Sequence, residues 1–312
     1  MNTHEAHIDS SVIRLLAYYE IFSHPLRFDE ICERIDIKEI APSDVQDSLN
    51  RLCQSNTVDN INQYFSLSYK SGAVETREAG EIRARKLMKK ARWFSGLIFF
   101  FPFVRAVFIS GSLSKGSVPE DADIDYFIIT KKHRLWIART TLVMFKRIFL
   151  LGSKKYFCTN YYVDEETLEI PDQNIFTATE VSTLIPMRGN GMYEKFLEAN
   201  SWYKEFFPNM DEPENKSPKP GIGKKVSMSV LEPLFFHAAA EKMDKYFMKK
   251  TYKRWMTMYG KNYTEKEFEL AFRSRRGTSK NHDKNYQKRV LEKVNQNTEA
   301  AMKRMRKEVL NA

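Results

Sequence analysis

Val107–Thr130, VFISGSLSKGSVPEDADIDYFIIT, is the stretch from which the rest of the chain is best read. Val107–Ile109 is short, β-branched and aromatic, as a buried strand is. Ser110-Gly111-Ser112 breaks it. Ile124–Thr130 is a second apolar run, entered through Asp123-Ile124-Asp125. Alternate side chains of a strand share a face, so Asp123 and Asp125 point the same way and Ile124 points into the core. Two carboxylates side by side repel unless a cation sits between them, and hard oxygen donors favour magnesium or manganese. In the loop before them, Gly111 permits a tight turn and close backbone approach to a ligand. Ser112, Ser114 and Ser117 offer hydroxyls and Lys115 a positive charge. A helix starting there would aim free N–H groups at an anion.

This order of strand, Gly-Ser turn, ten-residue spacer and Asp-apolar-Asp resembles the signature of the polymerase-β-like nucleotidyltransferase superfamily. The match spans Ile109, Gly111-Ser112 and Asp123-Ile124-Asp125, about 24 residues of the 312. The resemblance implies a small mixed sheet and magnesium- or manganese-dependent transfer of a nucleoside monophosphate from an NTP to an acceptor hydroxyl. Asp123 and Asp125 would hold the metal, while Gly111, Ser112 and Lys115 would cradle the phosphates. The superfamily usually takes a third carboxylate from a later strand. Here Lys154–Val163 is the expected strand, and its natural candidate is the neutral Asn160, with Asp164 just beyond the strand as a substitute. An alternative follows from that departure: a weakly active or inactive nucleotide-binding regulator or scaffold.

Outward from this core, residues 10–68 read as a separate module. Ser10 or Ser11 caps a helix through Ile21, Phe28–Ile35 is a second helix, and Pro42-Ser43-Asp44 starts a third. Thr57–Asp59 and Tyr64–Leu67 follow as a β-hairpin, and the pattern resembles a winged helix. The third helix and the hairpin lack a basic cluster for phosphates, which argues against DNA binding and for packing, a homodimer contact or presentation of a partner. Residues 76–96 read as a basic helix with Ile82, Leu87 and Phe94 inward and Arg77 among its solvated cations. Lys131–Leu151 reads as a helix with Leu135, Ala138, Leu142, Phe145 and Phe149 on one face and Arg139 among the residues facing elsewhere.

Pro208–Gly223 reads as a linker and 224–312 as a basic helical domain, giving a 70–207 nucleotidyltransferase-like domain between two flanking units. A helix over Lys225–Tyr259 carries Leu231, Leu234, Phe235, Ala238 and Met243 along one side. The chain is α/β (α+β) throughout. Residues 241–312 hold 20 Lys and Arg against 9 Asp and Glu, so the net charge of +10 is concentrated there. Such a surface suits RNA or another polyanionic acceptor, and a nucleic-acid-binding protein is a further alternative. Phe272–Tyr286, FRSRRGTSKNHDKNY, reads as a cationic loop dense enough to touch triphosphate or acceptor. Scattered Cys32, Cys53 and Cys158 and the absence of a signal or membrane-inserting segment lead to the expectation of a cytoplasmic protein.

Overall fold

The structure, a computed structural model of the chain, describes residues 3–67, 72–189, 191–212, 218–233, 235, 237–281 and 286–311. The N-terminal module contains α1 (Thr3–Glu20), β1 (Leu26–Arg27), α2 (Phe28–Arg34), α3 (Pro42–Gln54), β2 (Asp59–Ile61) and β3 (Tyr64–Ser66). The strands form an antiparallel sheet in the order β1-β3-β2. Asn62 and Gln63, both at positive φ, make the two-residue turn of the hairpin, a geometry that suits its right-handed twist. Helix α1 starts well before the expected Ser10 cap. The added turns bury Ile8 and Asp9, and Asp9 accepts hydrogen bonds from Ser48 Oγ at 2.6 Å and Arg51 Nη2 at 2.7 Å. A charge pairing with α3 therefore extends the helix, a signal that hydrophobic periodicity does not carry. Val12, Ile13, Leu16, Ile31, Val45 and Leu49 fill the module's core.

Helix α4 (Ala73–Phe100) leads from the module to a six-stranded sheet. There β4 (Val104–Ser110), α5 (Gly111–Ser114), β5 (Asp125–Thr130), α6 (Leu135–Phe149) and β6 (Cys158–Asp164) follow in turn. Next come α7 (Ile175–Ser182), β7 (Ile185–Arg188), α8 (Met192–Ala199) and a 3-10 turn over Ser201–Glu205. The remaining elements are α9 (Ile222–Val226), α10 (His237–Tyr259), α11 (Glu265–Ala271), β8 (Ser274–Arg275), β9 (Thr278–Lys280) and α12 (Tyr286–Asn311). The sheet order is β7-β4-β5-β6-β9-β8, parallel only between β5 and β6. The architecture is thus mixed α+β. Strand alternation splits the core into two layers. Val107, Ile109, Tyr126 and Ile128 meet α4, α6 and α10, while Phe108, Phe127 and Ile129 meet α7 and α8.

Several expectations are corrected by packing. The stretch from 224 onward does not pack as one helical body. Strand β9 extends the central sheet at β6, α10 covers α6, and Val290, Val294 and Ala301 of α12 join the N-terminal core. The helix expected over 225–259 is interrupted after a π-helical turn at Ser227–Leu231. Its inward residues include Ala240, Asp244 and Trp255, whereas Ala238 and Met243 are exposed; Leu234 lies outside the described residues. Ile82 and Phe149 are exposed, and Arg77 and Arg139 are buried. Arg139 lies over the rings of Trp136 and Trp255, at 5.6 and 4.7 Å from their centroids, so cation–π attraction offsets part of its desolvation. The start of the expected linker is tied down, because Asn209 Nδ2 donates to the Ile35 and Ile37 carbonyls at 3.3 and 2.8 Å. No described helix is long and apolar enough to cross a membrane.

Candidate active site

Strand β4 ends where Ser110 pairs with Asp125 across the antiparallel ladder, so the Gly-Ser turn and the second carboxylate are adjacent by register. Gly111 has φ +67°, and a Cβ there would sit 2.5 Å from Asp125 Oδ2. Both the backbone conformation and the close approach require glycine. The expected helix is the single turn α5. Behind it, Ser114 Oγ and Lys115 Nζ donate back to the Gly111 carbonyl at 2.9 and 3.1 Å. Lys115 Nζ also pairs with Glu180 Oε1 at 2.7 Å, bringing a helix glutamate to the loop.

Burial pushes the Asp125 carboxyl up to about 6, and the negative charges of Glu180 and Asp123 add to the rise. Asp123, half-buried just before β5, is therefore electrostatically coupled to it. Asn160 Nδ2 points at Asp125 Oδ1 at 3.4 Å and donates to Cys158 Sγ at 3.0 Å. The cause is a β-bulge. Tyr126 pairs with Thr159 and Phe127 with Tyr161, so Asn160 is the extra residue, and its amide is re-aimed as bulges near functional sites commonly do. Burial, then Asp125, raises the Cys158 thiol to about 12, which keeps it protonated. Asp164 does not reach this site. It pairs with Thr130 at the other end of β5 and accepts from the backbone N–H groups of His133 and Glu166.

Among the described residues no group of three or more His, Cys, Asp and Glu side chains is arranged to hold a metal ion. The donors that are present still suit a hard divalent cation completed by substrate oxygens. They are two coupled carboxylates, one of them pushed toward protonation by burial and by neighbouring negative charge.

A cleft of about 550 Å³ opens beside Asp125. One wall is Gly111, Ser112, Lys115 and Ser117, with Arg77 and Arg83 of α4 beside them. Arg83 Nε donates to the Val118 carbonyl at 2.9 Å. A Cβ at Gly80 would fall 2.4 Å from Ser117 Oγ, so α4 packs directly on the loop. Buried Arg77 pairs with Glu30 at 2.7 Å and donates to the Pro25 carbonyl, fastening α4 to the N-terminal module. The opposite wall is aromatic: Tyr18, Tyr19 and Phe22 from α1 and its end, Phe176 of α7 and Tyr286 of α12. His24 also lines the cleft, and burial lowers its imidazole to about 3. These residues carried no local sequence signal beyond core-like aromatic spacing.

Of the cationic stretch 272–286, residues 272–281 do not line the cleft, whereas Tyr286 does. Ser274–Arg275 and Thr278–Lys280 form the β8–β9 hairpin rather than a loop. Arg273 pairs with Asp172 at 2.9 Å and Lys280 with the same carboxylate at 3.3 Å, both cations being buried. Arg275 pairs with Glu269 at 2.9 Å, and Arg276 pairs with Glu241. His282 and Lys284 lie outside the described residues. Arg85, Lys89 and Arg92 of α4 instead line a second groove, of about 500 Å³, along the far side of the 111–116 loop. Comparison with protein-family models, with curated proteins and with solved structures finds no match.

Proposed function

We propose that this chain is a magnesium-dependent nucleotidyltransferase that moves a nucleoside monophosphate from an NTP to an acceptor hydroxyl. In this reading a small mixed-sheet transferase domain is flanked by a winged-helix-like module. The observation that carries it is the corner formed by Gly111 and Asp125, where a positive-φ glycine leaves room for a carboxylate at the open end of paired strands. Asp123 and Asp125 would hold the ion, which when bound supplies charge neutralisation on the triphosphate. Gly111 and Ser112 would bind phosphate oxygens, and Lys115, held in the cleft by Glu180, would add positive charge. Asn160 orients the Asp125 carboxylate through its amide. The basic groove on α4 suits RNA or another polyanionic acceptor. Incubation with α-labelled ATP, GTP, CTP and UTP, magnesium, and RNA, protein or small-molecule acceptor fractions tests the reading. Label is expected in one fraction with the native chain and in none with the Asp123→Ala/Asp125→Ala variant.

One observation favours a second reading. The position facing Asp125 from β6 is an amide rather than a carboxylate. A nucleotide-binding regulator would bind metal–NTP in the same cleft without forming product. Metal-dependent binding with no label transfer to any fraction selects it.

A further inference from the structure

Two stretches, 82–119 and 126–163, each carry eight Lys or Arg and no Asp or Glu. The fold brings part of each, 89–94 and 145–157, together on one face. Lys90 Nζ donates to Tyr156 Oη at 2.9 Å. Ring contacts run from Trp93 to Phe94 at 4.7 Å, on to Phe157 at 6.2 Å, to Phe145 at 5.8 Å and to Phe149 at 4.9 Å. The ends of this chain stand in solvent: Trp93 is 65% exposed, Phe149 68%, Ile148 63% and Leu151 94%. Leu151 also has φ +49°, and Gly152 follows at φ +78°. The turn thus holds a leucine outward in a conformation that leucine disfavours. Around this tip Arg147, Lys154 and Lys155 are exposed, and Lys89 and Lys90 are exposed on α4. An apolar cluster rimmed by cations marks an interaction site.

We infer that this face docks on the surface of an anionic lipid bilayer. Trp93, Ile148, Phe149 and Leu151 enter the headgroup–acyl boundary, and Arg147, Lys154 and Lys155 pair with lipid phosphates. The contact is interfacial and crosses nothing. Charge and side-chain chemistry select this partner over two others. A second copy would set the exposed Lys89, Lys90, Arg147, Lys154 and Lys155 of two molecules against each other. A nucleic acid would find rings to stack on, but Ile148 and Leu151, which project from the tip, offer none. The inference is independent of the transferase reading. If both hold, docking sets the catalytic corner beside the membrane, because Phe157 leads directly into Cys158 and Asn160.

Co-sedimentation of the full chain with vesicles tests it, using phosphatidylcholine alone and phosphatidylcholine with phosphatidylglycerol. Binding is expected only to the anionic vesicles, and it weakens as salt is raised. Phe149→Ser/Leu151→Ser, which removes exposed side chains, is expected to weaken binding about tenfold or more. Lys154→Glu/Lys155→Glu is expected to do the same through charge. Circular dichroism and nucleotide binding in the cleft stay unchanged in both variants. Failure to sediment with anionic vesicles, equal binding to neutral ones, or binding indifferent to both variants overturns the inference. So does RNA affinity, or a dimer-to-monomer change, that responds to Phe149→Ser/Leu151→Ser while vesicle binding is absent.

Discussion

Residues 111–125 and 272–286 are both glycine-containing, polar and charged, and both look like ligand-binding loops in the sequence. In the first, Gly111, Ser112 and Lys115 remain on the wall of a cleft with Asp125 beside them. In the second, Arg273 and Lys280 converge on Asp172, Arg275 meets Glu269, and Arg276 meets Glu241. The first stretch keeps its charges facing a space that a substrate can enter. The second uses them to join the sheet to α7's approach and to α10 and α11. Neither density of charge nor pairing alone separates the two cases, since Lys115 also meets Glu180; the first stretch borders an open cleft and the second is packed into the sheet and its helices.

The sharpest way to break this contrast is Asp123→Ala/Asp125→Ala. Turnover is expected to fall by at least about a thousandfold, since charge stabilisation by the metal and by oxyanion-type contacts supplies most of the rate enhancement in such chemistry. The far-UV circular dichroism spectrum should match the native one; retained turnover rejects the site. Arg273→Ala is the mirror experiment. It leaves the part-buried Asp172 with one cation and should cost about 3 kcal/mol in urea unfolding, the usual penalty for breaking a buried pair, with turnover per folded molecule unchanged. A large activity loss without a stability loss would return 272–286 to the site.

Lys115→Ala sharpens the comparison from the other side. Its ion pair with Glu180 is partly exposed, with side chains 20% and 28% accessible, so stability should change by less than about 1 kcal/mol. Turnover should fall roughly 10- to 100-fold if the ammonium contacts phosphate. Asn160→Asp probes the third position. A third acidic group beside buried Asp125 should lower the melting temperature in EDTA and restore or exceed it with magnesium. A melting temperature indifferent to magnesium would separate Asn160 from any metal site.

The smallest effect concerns His24 on the cleft's far wall. Burial lowers its folded value to about 3 from the usual 6.5. The unfolded chain therefore takes a proton that the folded chain refuses, so stability is lost as pH falls from 6.5 toward 3. The slope is at most about 1.4 kcal/mol per pH unit. Denaturant unfolding of the native chain and His24→Gln at pH 7 and pH 5 should show the native chain losing more on acidification. Equal losses would mean that the imidazole is solvated.

Short-range features were legible from residue order. Pro42 starts α3, helical spacing marks α6, and short apolar runs mark β4 and β5, because each depends on neighbours within a few positions. Of the candidate site, the Gly111–Asp125 corner was legible for the same reason, being two strands joined by one loop. The aromatic wall was not, since Tyr18, Phe176 and Tyr286 come from three helices far apart in the chain. Nor was the pairing of Glu180 with Lys115, which joins a short helix to a loop 65 residues away.

The sequence by itself determined the apolar runs of β4 and β5 and the Gly-Ser turn that follows the first of them. All of these are set by local backbone geometry. Residue order already offered Asn160 as the neighbour of Asp125; only the tertiary structure decided that a one-residue bulge in β6 aims it there. It alone decided that Arg273 is neutralised by a carboxylate 101 residues away, and that α12 closes against α1 rather than standing in a domain of its own. Pairings of this kind are settled by which buried charges and apolar faces find one another on folding, and nothing in the local order of residues encodes that choice.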